Sequence, residues 1–183
     1  MDLQNKYIEK LKNEQIFLDI YTDRYEESDF GFVIDYNDEF VVIEKFDSDG
    51  NYDGISILIR DNISRIRWGG NEITNTSKLI EIQKRQKDKI AINLTSIETI
   101  LHSINKLFGS ITVHIQDLDN GVCFIGQIEE MDQDSIVIHE FGSKASMDRK
   151  FILLSLNDIT RIDAGGQYEN NLSKLFGEKN NVA

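Results

Sequence analysis

Leu58-Ile-Arg-Asp-Asn-Ile-Ser-Arg-Ile-Arg-Trp-Gly-Gly70 and Leu154-Ser-Leu-Asn-Asp-Ile-Thr-Arg-Ile-Asp-Ala-Gly-Gly166 are the two passages on which the reading of this chain turns. Set over each other at a shift of 96, they and the residues after them match at ten positions. Leu58, Ile63, Arg65, Ile66, Gly69, Gly70, Asn75, Ser77, Lys78 and Leu79 repeat as Leu154, Ile159, Arg161, Ile162, Gly165, Gly166, Asn171, Ser173, Lys174 and Leu175. Upstream, a shift of 95 lays Gly31, Val42, Ile43 and Phe46 over Gly126, Val137, Ile138 and Phe141. Self-similarity at a nearly fixed separation is the mark of a duplicated structural unit, here of roughly 80 residues. The expected organisation is a first copy over 1–82, a basic linker over 83–95, and a second copy over 96–183 that includes a C-terminal tail.

Each copy carries the same succession of periodicities. In the second, Ile97, Ile100, Leu101, Ile104, Leu107 and Phe108 form one helical stripe, which Gly109 is placed to terminate. The period then falls to two: Ile111, Val113 and Ile115 alternate, and segments 122–131, 135–141, 150–156 and 160–163 follow, separated by turn-forming Asp, Asn, Gly and Ser. Asn157-Asp158 suits a one-turn helix between the last two. The first copy predicts a helix over 3–11 and strands over 16–21, 30–36, 40–46, 55–60 and 64–68. The fold class expected is mainly β within α+β: two tandem copies of a helix plus a five-stranded, bent antiparallel barrel, since five short strands bury a core best by curling.

The order of helix, five strands and a terse link between the fourth and fifth resembles the Sm-like (LSm and Hfq) fold, with SH3-like barrels the nearest alternative. Gly31 and Gly126 match the glycine that opens the second Sm strand, followed at the Asp position by Asn37 and Asp132. The base-binding Asn position falls on Val41 and Ile136, and the Ile-Arg-Gly element becomes Ile59-Arg60-Asp61 in one copy and Ser155-Leu156-Asn157 in the other. The resemblance therefore implies fold and not RNA binding. It also implies association of units by pairing a fourth strand with a fifth, within the chain or between copies as a homo-oligomer joined at strand edges.

Composition narrows the function. The chain has 183 residues with 20 basic and 32 acidic side chains, net −12. Residues 1–77 carry net −9, residues 78–108 net +3 and residues 109–183 net −6. Acidic barrels repel a phosphate backbone, so nucleic acid is not the expected partner. The one positive stretch, Lys84-Arg-Gln-Lys-Asp-Lys89, reads as a solvated connector. No apolar run approaches the roughly 20 residues of a membrane span, and MDLQNKYIEK lacks the pattern of a signal peptide, so no membrane contact and a cytoplasmic location are expected.

Chemical motifs are sparse. Asp47-Ser-Asp-Gly-Asn-Tyr-Asp-Gly54 resembles half a calcium loop, but the positions that need a bidentate Glu and a Gly hold Leu58 and Tyr52, so an acidic hairpin turn is expected. His102, His114 and His139 lack ligand spacing, and Cys123 between Val122 and Phe124 reads as a small buried apolar residue. No catalytic set, cofactor or metal is expected. Repeated Arg65 and Arg161, like Lys78 and Lys174, read as stabilising charges. Trp68 and Arg67 stand where the second copy has Ala164 and Asp163, which marks a contact surface particular to the first copy. The candidate interaction surface is Arg60, Arg65, Arg67 and Trp68. The expected function is a non-enzymatic, bacterial-type protein-interaction module, adaptor- or immunity-like, whose acidic surface takes a basic protein. The alternative is an Sm-like RNA-binding protein using those arginines and the linker.

Overall fold

The computed structural model describes residues 2–22, 28–81, 85, 90–144, 146 and 148–176. The chain is mainly β, of the α+β class, and divides into two compact units, Met1–Ile90 and Ala91–Ala183.

The first unit begins with α1 (Leu3–Asn13), whose N-terminus is capped by Asp2 accepting from the Asn5 N–H at 2.7 Å. Five antiparallel strands follow: β1 (Leu18–Thr22), β2 (Asp29–Tyr36), β3 (Phe40–Phe46), β4 (Tyr52–Ile59) and β5 (Ile63–Trp68). They pair in the order β5-β1-β2-β3-β4. The 3-10 turn Arg60–Asn62 makes the link from β4 to β5. After Gly69 and Gly70, both left-handed at φ 78° and 79°, the chain enters α2 (Asn71–Leu79).

Both faces of this sheet are covered. On one, Ile8 and Leu11 of α1 pack with Leu18, Ile20, Val33, Val41, Ile43 and Leu58. On the other, Phe17, Phe32 and Phe46 pack with Ile73 and Ile80. That second layer explains why β1 is buried along its whole length, Asp19 included.

The second unit has α3 (Ile97–Phe108), closed at its start by a capping box between Ser96 and Thr99 and at its end by left-handed Gly109 at φ 74°. Its strands are β6 (Ile111–His114), β7 (Cys123–Met131), β8 (Ser135–Glu140), β9 (Phe151–Ser155) and β10 (Arg161–Ala164), paired β10-β6-β7-β8-β9. The one-turn helix expected at Asn157-Asp158 is the 3-10 turn Leu156–Asp158. Helix α4 (Gln167–Phe176) then seats Leu172 and Phe176 on Phe141.

Two differences from the sequence expectation have physical causes. Within each unit the five strands form an open ladder in hydrogen-bond terms, and helices on the sheet supply cover that strand curling was expected to provide. Those helices, α2 and α4, were not expected. Asn71-Glu-Ile-Thr-Asn-Thr-Ser-Lys-Leu79 is rich in poor helix formers, and only Ile73 and Thr76 are buried within it, so packing rather than propensity holds it.

Gly31 in the first unit and Gly126 in the second each sit at a close strand contact. A Cβ on Gly31 would collide with the Glu44 carbonyl of β3, and one on Gly126 with the His139 carbonyl of β8. Neither side can yield, because both are backbone. Gly31→Ala is therefore expected to cost about 1–3 kcal/mol of unfolding free energy, read as a lowered denaturant midpoint. An unchanged midpoint would show that the ladder accommodates a side chain there.

Candidate interaction surface

The four candidate residues lie on or next to β5, and the structure separates them. Arg60 is turned inward and is only 6% exposed. Its Nη1 donates to Asn5 Oδ1 at 2.7 Å and to the Asn37 carbonyl at 2.9 Å, and its Nη2 donates to Gln4 Oε1 at 2.9 Å. It fastens α1 to the sheet. Arg67 reaches across the β1–β5 pair to buried Asp19, with Nε 3.0 Å from both carboxylate oxygens and Nη2 on Oδ2, and a further bond to the Tyr21 hydroxyl at 2.6 Å. Those bonds hold its guanidinium above its ordinary, already high, pKa. Arg65 lays its guanidinium 3.7 Å from the centre of the Tyr21 ring.

Trp68 behaves differently. It is 43% exposed and meets Tyr7 of α1 at a ring-centroid distance of 5.5 Å. The two rings belong to a groove of about 470 Å³ between α1 and β5, floored by Ile8, Leu11, Ile63 and Ile66 and rimmed by Leu3 and Arg65. Leu3, Tyr7 and Trp68 are all exposed large apolar side chains. Strand β5 has β1 as its one neighbour among the described strands, and its residues Ile63 to Ile66 and Trp68 line the groove. Apolar volume, aromatic walls and a strand edge are the materials of peptide recognition by strand addition. At the position that the sequence alignment sets against Trp68, the second unit has Ala164, which is buried. The asymmetry read from sequence thus coincides with an exposed ring, although α1's share of the groove, Leu3 and Tyr7, had no signal in the sequence beyond ordinary amphipathicity.

A second cluster went unread in the sequence. Glu44, in the middle of β3, is fully buried. Arg85, the one residue of the basic stretch 84–89 among those described, donates from Nε to Glu44 Oε2 at 2.7 Å. Its Nη2 stands 2.7 Å from the same oxygen, and its guanidinium lies 3.8 Å from the centre of the Phe32 ring. Tyr52 adjoins through Phe46, at 6.1 Å between ring centres. Burial, with Glu44 and Asp53 adding repulsion to its phenolate, pushes Tyr52 up from 10 to about 12.

The remaining candidates are placed as follows. Asp47 spends its carboxylate on its own turn, accepting from the N–H groups of Asp49 and Asn51, both at 2.9 Å. His114 contacts Asp163 at 3.1 Å, and Arg161 donates to the same carboxylate at 2.6 Å from Nη2. His139 stacks on Phe151 at 4.3 Å, and exposed His102 lies 3.9 Å from Glu98. No group of three or more His, Cys, Asp or Glu among the described residues is arranged to hold a metal. Cys123, expected to be buried, is exposed, because it is the first residue of β7 and borders His114 instead of an apolar cluster. Partial desolvation, then Asp163, raises its thiol pKa, which disfavours the nucleophilic thiolate. No helix among the described residues is long and apolar enough to cross a membrane. Compared with protein-family models, curated proteins and solved structures, the chain matches none.

Two outcomes follow from these placements. Arg60→Ala should cost about 2–4 kcal/mol of unfolding free energy, since it removes three charge-assisted bonds, two to α1 and one to the Asn37 carbonyl of the β2–β3 turn. A variant as stable as the parent would return Arg60 to the surface. Tyr52 keeps its proton in the folded state after the unfolded chain has lost it, so stability falls as pH rises from about 10 to about 12. Below that window both states are neutral at this residue. Tyr52→Phe should flatten the decline, and a phenol titration of the folded protein should lose its last-ionising tyrosine; an unaltered titration would remove the assignment.

Proposed function

We propose that this protein is a non-enzymatic interaction module, built from two copies of one small Sm-like or SH3-like unit, that binds a basic protein through the α1–β5 groove. The observation that carries the reading is the exposed Trp68–Tyr7 pair beside the outer edge of β5. The occupant that fits is an extended partner segment that adds to β5 and places one large apolar side chain between α1 and Trp68. Its flanks are basic, because the chain around the groove carries net −9 over residues 1–77. The matched strand order of the two units and their paired glycines support the duplicated-unit part of this reading. RNA binding through Arg60, Arg65 and Arg67 draws little support from their placement, since Arg60 is inside and Arg67 is held by Asp19.

An exposed tryptophan at the centre of a docking groove carries about 2 kcal/mol or more of affinity, roughly 30-fold in Kd. The partner should be identified by capture on the full chain and then titrated against the purified parent and Trp68→Ala. The expected result is a basic protein whose binding weakens about 30-fold in the variant and also weakens with salt. Undiminished affinity in Trp68→Ala, an acidic partner, retention of RNA instead of protein, or a dimer that Trp68→Ala converts to monomer in sedimentation would each overturn it.

A further inference from the structure

Glu44 poses a problem that the groove does not solve. A carboxylate fully removed from water in mid-strand is expensive, and a well-packed apolar residue in its place is commonly neutral or better for stability. Nor does the strand pattern require it. At the 95-residue shift its counterpart is His139, which is not fully buried and stacks on Phe151. The carboxylate therefore belongs to what the first copy does and not to how the unit folds.

The geometry around it is selective for one chemical group. Arg85 Nε donates to Glu44 Oε2 at 2.7 Å, Nη2 stands 2.7 Å from the same oxygen in ion-pair contact, and the guanidinium lies 3.8 Å from the centre of the Phe32 ring. A planar, forked cation satisfies the acid and the ring together; an ammonium reaches one or the other. The residue that fills the site comes from Lys84-Arg-Gln-Lys-Asp-Lys89, the one strongly basic stretch of an acidic chain. That stretch has the character expected of the partner.

We propose that Glu44 and Phe32 form an arginine-recognition pocket, filled in the free protein by the chain's own Arg85, and that an arginine in a basic segment of the partner enters by displacing it. The inference rests on the basic-partner reading above and names the side chain that partner presents. Arg85 is then a competitor in cis. An intramolecular occupant acts at an effective concentration on the order of millimolar, so it lowers the apparent affinity for an outside arginine and sets a threshold for binding.

The test uses the full chain and two capped tetrapeptides, Lys-Arg-Gln-Lys, copied from residues 84–87, and Lys-Lys-Gln-Lys, titrated at one ionic strength. Arg85→Ala should bind the arginine peptide at least tenfold more tightly than the parent does, and at least tenfold more tightly than it binds the lysine peptide. Adding Glu44→Gln should abolish both differences. Arg85→Lys, which keeps a cation beside Glu44 without the stacked plane, should fall between parent and Arg85→Ala, and it serves should Arg85→Ala fail to fold. In the parent, saturating arginine peptide should shift the Arg85 Nε–H resonance. Equal affinity of the parent and both Arg85 variants, equal affinity for the two peptides, or an Arg85 resonance indifferent to saturating peptide overturns the pocket. The two readings fail separately. Peptides that do not discriminate, with a partner that still needs Trp68, remove only the pocket; discriminating peptides with an acidic partner remove the groove reading and leave the pocket standing.

Discussion

The contact between Gly31 and the Glu44 backbone is the constraint around which the first unit is arranged. With no Cβ in the way, β3 can press its carbonyl against β2 at a point where β2 is also paired to Leu18 of β1. Three strands are drawn together there. The alternation set by that register sends Leu18, Ile20, Val33 and Ile43 toward α1, and Phe17 and Phe32 to the opposite layer. It also fixes Glu44 on the layer of Phe32, where a carboxylate must find a cation, and Arg85 supplies it. One close backbone approach thus determines both the two-layer packing and the most demanding electrostatic problem in the unit. The same approach recurs at Gly126 and His139, but there the side chain that follows from the register is an imidazole, and the problem does not arise.

What could be read in advance was whatever announces itself locally. Helix α3 has its apolar stripe, its serine cap and its terminal glycine within fourteen residues, and strand β3 is bounded by turn residues on both sides, so both were legible. The 3-10 turn at Leu156–Asp158 followed from the preference of Asn and Asp for local backbone bonds. Helices α2 and α4 were not legible, because their hold on the chain is a few side chains docked on a distant phenylalanine cluster. Arg60 shows the limit most clearly. In sequence it is a surface cation in a polar turn; in the fold its partners are Gln4, Asn5 and Asn37, two of them more than fifty positions away. Neither the pairing of Glu44 with Arg85, 41 positions apart, nor the groove wall supplied by Leu3 and Tyr7 has a local signature.

The two units place the salt link at their first and last strands differently. In the first, β1 contributes the buried acid, Asp19, and β5 the arginine. In the second, the position facing Asp163 across β6 and β10 is Thr112, and the acid has moved to the last strand, where Arg161 and His114 hold it. An arginine–aspartate link is present in both units, across the strands in the first and within the last strand in the second. The link is therefore not one geometry shared by the two units. That difference explains why matching Arg65 to Arg161 says little about shared chemistry: Arg65 covers an aromatic ring, and Arg161 neutralises a carboxylate.

Net charge carries a different meaning once these pairings are known. Arg60, Arg67, Arg85 and Arg161 are the residues a compositional argument would count toward an anionic ligand, yet each is bound to oxygens of its own unit. The cations best suited to planar, bidentate recognition are spent internally. Arg67 with Asp19 and Arg85 with Glu44 each cancel one cation against one anion, so these pairings leave the first unit its acid surplus, net −9 over residues 1–77. The exposed apolar groove lies within that field. A segment that enters it must bring an apolar side chain for the Trp68–Tyr7 wall and positive charge for the surroundings, two requirements met together by a basic strand and by few other ligands.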